Sequence, residues 1–237
     1  MNFAAALSGA DRFDTAFDEV VDDLEAQLDG ASPSLLTLFV GSTHERDYVR
    51  LHRMLREKYP AAALVGCSAG GTIGGGRELE EGGGLSVSAA CLPGVEIRPF
   101  HLDPDRVPVP EAASLWREVL DTPSDAHPTI IVFPEPYTSP VSAVLEGLDR
   151  TFEGGTVVGG VASGMQEAGA GALFAGDEVF ATGTAGVVLW GDVQIDTIVS
   201  QGCRPIGSPM FITRGHDNLI TGLDGWYDGC RHWWWYH

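Results

Sequence analysis

Apolar residues recur along this chain with two alternating periods, and each change of period marks an element. Residues 14–29, DTAFDEVVDDLEAQLD, place Phe17, Val20, Val21, Leu24 and Leu28 three or four apart, which predicts a helix that Gly30 stops. SLLTLFVG (34–41) is continuously apolar and predicts a buried strand. ERDYVRLHRMLREKYP (45–60) returns to the helical period through Tyr48, Leu51, Met54 and Leu55 and stops at Pro60, and AAALVG (61–66) predicts a second buried strand. GLSVSAACL (84–92) and VEIRPFHL (95–102) alternate as strands, and Pro93-Gly94 between them predicts a hairpin.

The plan then recurs. PTIIVFPE (128–135) predicts a strand, SPVSAVLEGLDRTF (139–152) a helix with Pro140 in its first turn, and GTVVGG (155–160) another strand. EVFATGTAGVVLWG (178–191) and VQIDTIVSQG (193–202) complete the series. Thr129-Ile130-Ile131 lies 94 positions after Leu35-Leu36-Thr37, and VGGVASG (158–164) lies 93 after VGCSAGG (65–71). Order, type and spacing agree, so the expectation is an α/β fold built from an internally duplicated strand–helix–strand–strand–strand unit, with copies at about 34–102 and 128–202. In each copy the first two strands, joined by a helix, run parallel, giving mixed sheets covered by helices. A helix–sheet–sheet–helix sandwich and one continuous sheet both satisfy this pattern.

Composition narrows the function. The 237 residues are 44% hydrophobic with six Trp and ten Phe, enough for a large core. A net charge of −19 opposes binding to a nucleic-acid backbone or an anionic membrane surface, and the bland reading of the acidity is solubility. Lys58 is the only lysine, so VGCSAGGTIGGG (65–76) has none to complete a Walker-type phosphate loop. MNFAAALSGADRFDTAFDEV opens with a short apolar run and no basic region, so no secretory leader is expected, and no apolar run reaches the roughly 20 residues that span a bilayer. Cys67, Cys91, Cys203 and Cys230 are scattered without C-x-x-C spacing, which suits a reducing cytoplasm.

Gly66-Cys67-Ser68-Ala69-Gly70 spells G-x-S-x-G, the pattern of a hydrolase nucleophile elbow. A working elbow turns from a strand directly into a helix, whereas eight glycines follow between 70 and 84; His101, His127 and His216 allow a Ser, acid, His order that almost any acidic chain of this length would permit, and no motif ties a His to Cys67. A serine hydrolase using Ser68 therefore stands as the alternative to a binding module. Small residues at two equivalent strand ends let backbones approach closely, and the carboxyl ends of parallel strands are where open α/β sheets place ligands. Both readings of the glycine turns hold together.

LVGCSAGGTI, its counterpart VVGGVASG and QGCRPIGSPMFITRGHDNLITGLDG (201–225) together resemble the FIST family, found in bacterial signal-transduction proteins and some eukaryotic F-box proteins. The most specific part is Gly202, Arg204, Pro205, Gly207, Thr213, Asn218, Ile220, Leu223, Asp224 and Gly225. The resemblance implies an N-type FIST domain over residues 1–225, a non-catalytic sensory domain for a small ligand with a signalling partner. Amino acids are suggested as ligands for the family and haem for some members. The expected ligand contacts are Cys67, Ser68, Gly70, Gly160, Ser163, Arg204 and Thr213, with the ligand held between the two halves. Arg204 offers a planar, always charged fork to a carboxylate, against the bland reading of a structural ion pair. His101, His127 and His216 are the candidate haem ligands, against the bland reading of surface or core histidines. Family members usually continue into a C-terminal FIST domain; here WYDGCRHWWWYH (226–237) follows, an aromatic tail that reads as a truncated end or as a segment for binding a protein partner.

Overall fold

The computed structural model describes residues 1–80, 82–198, 210–216 and 219–223. The chain divides into two units, Met1–Asp196 and Thr197–His237. Unit one begins with β1 (Asn2–Ser8), α1 (Phe13–Leu28), β2 (Leu35–Gly41), α2 (Tyr48–Lys58) and β3 (Ala63–Ala69). A small ribbon, β4 (Thr72–Gly74) and β5 (Arg77–Leu79), precedes β6 (Leu85–Cys91). The chain continues through β7 (Val95–Leu102), α3 (Ala113–Val119), β8 (Thr129–Pro134), α4 (Val141–Thr151) and β9 (Thr156–Gly159). A hairpin, β10 (Leu173–Ala175) and β11 (Glu178–Phe180), precedes β12 (Thr184–Gly191).

The strands form a six-stranded sheet, β1-β6-β2-β3-β10-β11, and a four-stranded sheet, β7-β12-β8-β9. The orders β1-β6-β2-β3 and β7-β12-β8-β9 correspond strand for strand. β2 runs parallel to β3 and β8 to β9, while β6 and β12 run antiparallel to both of their neighbours. Three apolar clusters define the layers. One joins the buried face of α1 (Phe17, Val20, Leu24) and Leu51 and Leu55 of α2 to Leu36, Leu38 and Leu64. A second holds Leu35, Val65 and Cys67 against Phe133, Val187 and Leu189, and there Phe39 meets its counterpart 94 positions later, Phe133, edge-on with ring centres 5.4 Å apart. The third packs Trp116, Val144 and Leu148 onto Ile130, Val132 and Val188. Unit one is therefore the helix–sheet–sheet–helix sandwich, one of the two packings the strand pattern allows.

Three expectations are corrected. The expected 84–92/95–102 hairpin does not form: β6 and β7 belong to different sheets, and β7 pairs with β12. Two sheets need a connector between layers more than a tight turn, and Pro93-Gly94 provides it. The expected strand 178–191 is two strands in two sheets, broken where Gly183 turns at φ +87° against the Leu102 carbonyl. Residues 193–198 carry no strand, and 199–202 lie outside the described residues. The short apolar run at the N-terminus is β1, paired along its length with β6.

Unit two contributes β13 (Ile212–His216) and β14 (Leu219–Leu223), an antiparallel pair whose register shifts on either side of Arg214. No helix among the described residues is long and apolar enough to cross a membrane.

Candidate functional site

β3 at its middle and β9 at its last residue each carry a glycine that the sheet requires. A Cβ at Gly66 would collide with the backbone of Leu38, its partner on β2, and a Cβ at Gly159 would collide with Val132, its partner on β8. Beyond these glycines the two turns touch each other. Ser163 donates its backbone N–H to the Ser68 carbonyl at 3.1 Å, and Gly70 donates its N–H to Ser163 Oγ at 3.0 Å. Gly164, at φ +83°, packs so closely on the Ala69 carbonyl that a Cβ there would clash. Ser68, Gly70 and Ser163 are thus brought together as a hydrogen-bonded seam, with Cys67 beside it. Gly160 donates to the Val132 carbonyl and has open space where its side chain would be.

Cys67 and Ser68 face inward. Cys67 is 4% exposed, and burial pushes its thiol up to about 12, far from thiolate chemistry at neutral pH. Ser68 is 1% exposed; its Oγ accepts the Ala172 N–H at 3.2 Å and its own N–H donates to the Ala172 carbonyl at 2.8 Å. The Tyr48 hydroxyl also hydrogen-bonds Ser68, and burial, with Glu45 adding to it, pushes the Tyr48 phenol up to about 12. Neither side chain presents itself to a ligand, and Ser68 has neither the exposure nor the following helix of a nucleophile elbow: β4 comes next. Its role is to clasp the strand that leads into β10.

Two residues that the sequence reading did not single out stand at strand ends. His44 follows β2 in a 3₁₀ turn, Ser42–Asp47, and is buried. One ring nitrogen bonds the Ala10 backbone, while Nε2 has no partner among the described residues. Burial holds its pKa below the usual histidine value, against the opposing pull of Asp47 and Asp11. Because the folded pKa lies below the unfolded value of about 6.5, stability is full above that pH and is lost as pH falls through the folded pKa. Urea midpoints measured at pH 7.5 and pH 5 should therefore fall with acid, and His44→Phe should flatten the dependence relative to the wild-type chain.

Glu135 follows β8, 94 positions after Gly41, and is 1% exposed. Its Oε2 accepts from the Tyr137 N–H at 3.0 Å, the Thr138 N–H at 2.6 Å and the Thr138 hydroxyl at 2.6 Å. Oε1 is buried and takes no donor among the described residues. Thr138 Oγ1 also accepts the Gly183 N–H at 3.0 Å, and Ser139 and Thr184 share a hydroxyl pair at 2.6 Å. A carboxylate this buried has one oxygen saturated and one open to a donor. The only sequence signal for it was an acidic residue closing an apolar strand, PTIIVFPE, which reads equally as an exposed strand end.

A family model, the FIST N domain, matches residues 34–226. The chain belongs to the FIST N domain family. It is a sensory family of signal-transduction proteins. Among curated relatives, the uncharacterized protein Rv0628c of Mycobacterium tuberculosis (strain ATCC 25618 / H37Rv) is 33% identical over 225 residues, 95% of this chain and 57% of that protein. The uncharacterized protein Mb0898c of Mycobacterium bovis (strain ATCC BAA-935 / AF2122/97) is 33% identical over 208 residues, 87% of this chain and 52% of that protein. The chain spans about half the length of the curated relatives it matches.

Within this FIST N domain, Thr213 is exposed on β13, in unit two. Arg204 lies outside the described residues, as do Cys203, Cys230 and the aromatic tail 226–237. The three candidate histidines do not have the setting of a haem ligand. His101 commits Nε2 to the Thr182 carbonyl at 2.7 Å and stacks flat on Phe180 at 3.6 Å. His127 sits exposed by the Glu153 carbonyl at 3.3 Å, and His216 is exposed on β13. An axial ligand needs a ring nitrogen facing an apolar slot, and none of the three has that setting.

Proposed function

We propose that this FIST N domain is a non-catalytic sensory module that binds a small amine-bearing molecule, an amino acid or a close relative, at the carboxyl end of β8 and β9. The observation that carries this reading is Glu135, a buried carboxylate with an oxygen that accepts nothing from the described residues. A buried polar group left unpaired costs about 1–3 kcal/mol, and an ammonium donor both completes it and supplies the opposite charge. The position is the one α/β sheets favour for ligands. Gly160 and Ser163, exposed on the adjoining turn, and Thr138 supply small and hydroxyl-bearing neighbours. The strand-for-strand correspondence of the two sheets supports descent of both halves from one unit. In that unit the β2 end became closed, because Gly82 and Gly83 pack against Gly41 where Glu135 stands in the other half.

A thermal-shift screen of the twenty amino acids and simple amines tests the proposal. A ligand that binds only the folded chain at 100 times its dissociation constant adds about 2.7 kcal/mol, a rise of several degrees. Flat melting curves across the whole panel would sink the amine-ligand reading.

A further inference from the structure

Among the described residues, the outer edge of β9 has no strand beside it where its counterpart, the outer edge of β3, has one. In the first half, β10 lies antiparallel on the outer edge of β3, with Val65, Gly66 and Cys67 opposite Ala175, Phe174 and Leu173. The Ser68 N–H donates to the Ala172 carbonyl and the Gly176 N–H donates to the Leu64 carbonyl. Helix α2 grips the same hairpin: His52 Nε2 meets the Gly176 carbonyl at 3.0 Å, and Arg56 pairs with Asp177 at 2.8 Å. In the second half, Thr156 and Gly160 turn their N–H groups inward, toward Pro128 and Val132. Alternation then points the amides of Val157, Gly159 and Val161 outward, and these correspond to Leu64, Gly66 and Ser68. Among the described residues no strand pairs with that edge. A groove lined by Leu145, Glu146, Asp149, Phe152, Gly155 and Val157 runs beside it.

We infer that the outer edge of β9 is the docking surface for a partner protein, which adds an antiparallel β-hairpin with a basic turn. The hairpin geometry follows from β10 on β3. The charge follows from α4. Where α2 offers His52 and Arg56 to an acidic turn, the positions 94 later are Glu146 and Arg150, which neutralise each other at 2.7 Å. Asp149, exposed in the groove, has no ion-pair partner among the described residues. A second copy of this chain fits poorly, because a two-fold pairing of β9 edges would bring Asp149 toward its own duplicate. A hairpin with a basic turn instead gains main-chain hydrogen bonds from the edge and an opposite charge in the groove.

The test uses the full chain and two synthetic peptides. One copies residues 171–181, GALFAGDEVFA, and the other carries Asp177→Lys and Glu178→Lys. The lysine peptide should protect the amides of Val157, Gly159 and Val161 from hydrogen exchange. It should bind about threefold to tenfold more tightly than the acidic one at low salt, and lose that advantage near 1 M salt. Val161→Pro removes an outward N–H that no described residue uses, so it should abolish the protection while leaving the melting temperature unchanged. Asp149→Lys, at an exposed site, should reverse the peptide preference. Two results would overturn the inference: no protection at these amides with either peptide, or self-association of the peptide-free chain that Val161→Pro abolishes.

Discussion

Trp116→Ala should cost about 3–5 kcal/mol, the range for emptying a large aromatic from a core. In a domain of this size that lowers the melting temperature by about 6–20 °C. Trp116 is 0% exposed and is the centre of the cluster between α3, α4 and the four-stranded sheet. Its indole N–H donates to the Val109 carbonyl at 3.1 Å, so the substitution also strands that acceptor. α3 is only seven residues long and is too short to persist without tertiary packing, so the loss spreads to the whole element. The fit is reciprocal, because a Cβ at Gly147 of α4 would enter the indole ring. Gly147→Ala should therefore destabilise despite alanine's better helix propensity, and Trp116→Phe should partly rescue it. Calorimetry of the three single variants and the Gly147→Ala/Trp116→Phe pair checks this, and a Trp116→Ala loss below about 1 kcal/mol would contradict it.

Gly66→Ala and Gly159→Ala should each cost about 3 kcal/mol or more, because the added methyl meets neighbouring backbone that cannot rotate away. Leu38 and Val132 are the residues struck, and each is the direct register partner in a parallel pair. Gly160→Ala, one position on, meets open space and should change stability by less than about 0.5 kcal/mol. Urea unfolding of the three variants separates a requirement for close strand approach from a general need for flexible turns. Equal effects at all three positions would rule out the close-approach account.

Much of the sandwich was legible because continuous apolar runs and a 3.6 period carry their own signal. β2, β3, β8, β9 and the faces of α1, α2 and α4 were all readable in this way. β1 was not, because NFAAALS is small and ambiguous until β6 is beside it. α3 was hidden by its length, and β10 by having three residues whose pairing partner, β3, lies about a hundred positions away. The assignment of β7 to the second sheet is a tertiary choice: alternation in VEIRPFHL reports a half-buried strand and not which sheet accepts it. At the site, the glycine turns were visible, but a sequence cannot show which polar atom is left without a partner. That is why Ser68, conspicuous by its motif, proves to be a clasp, while Glu135 and His44 stand out only once their neighbours are in place.

A small amine is proposed to occupy the end of β8 beside Glu135. Isothermal titration of the best amine from the screen, run in parallel on the wild-type chain and on Glu135→Gln, tests it most directly. Gln keeps the acceptor that Tyr137 and Thr138 use but removes the charge facing the ligand, so the fold should hold while affinity falls about tenfold to a hundredfold. Unchanged affinity in a folded Glu135→Gln chain would contradict the claim.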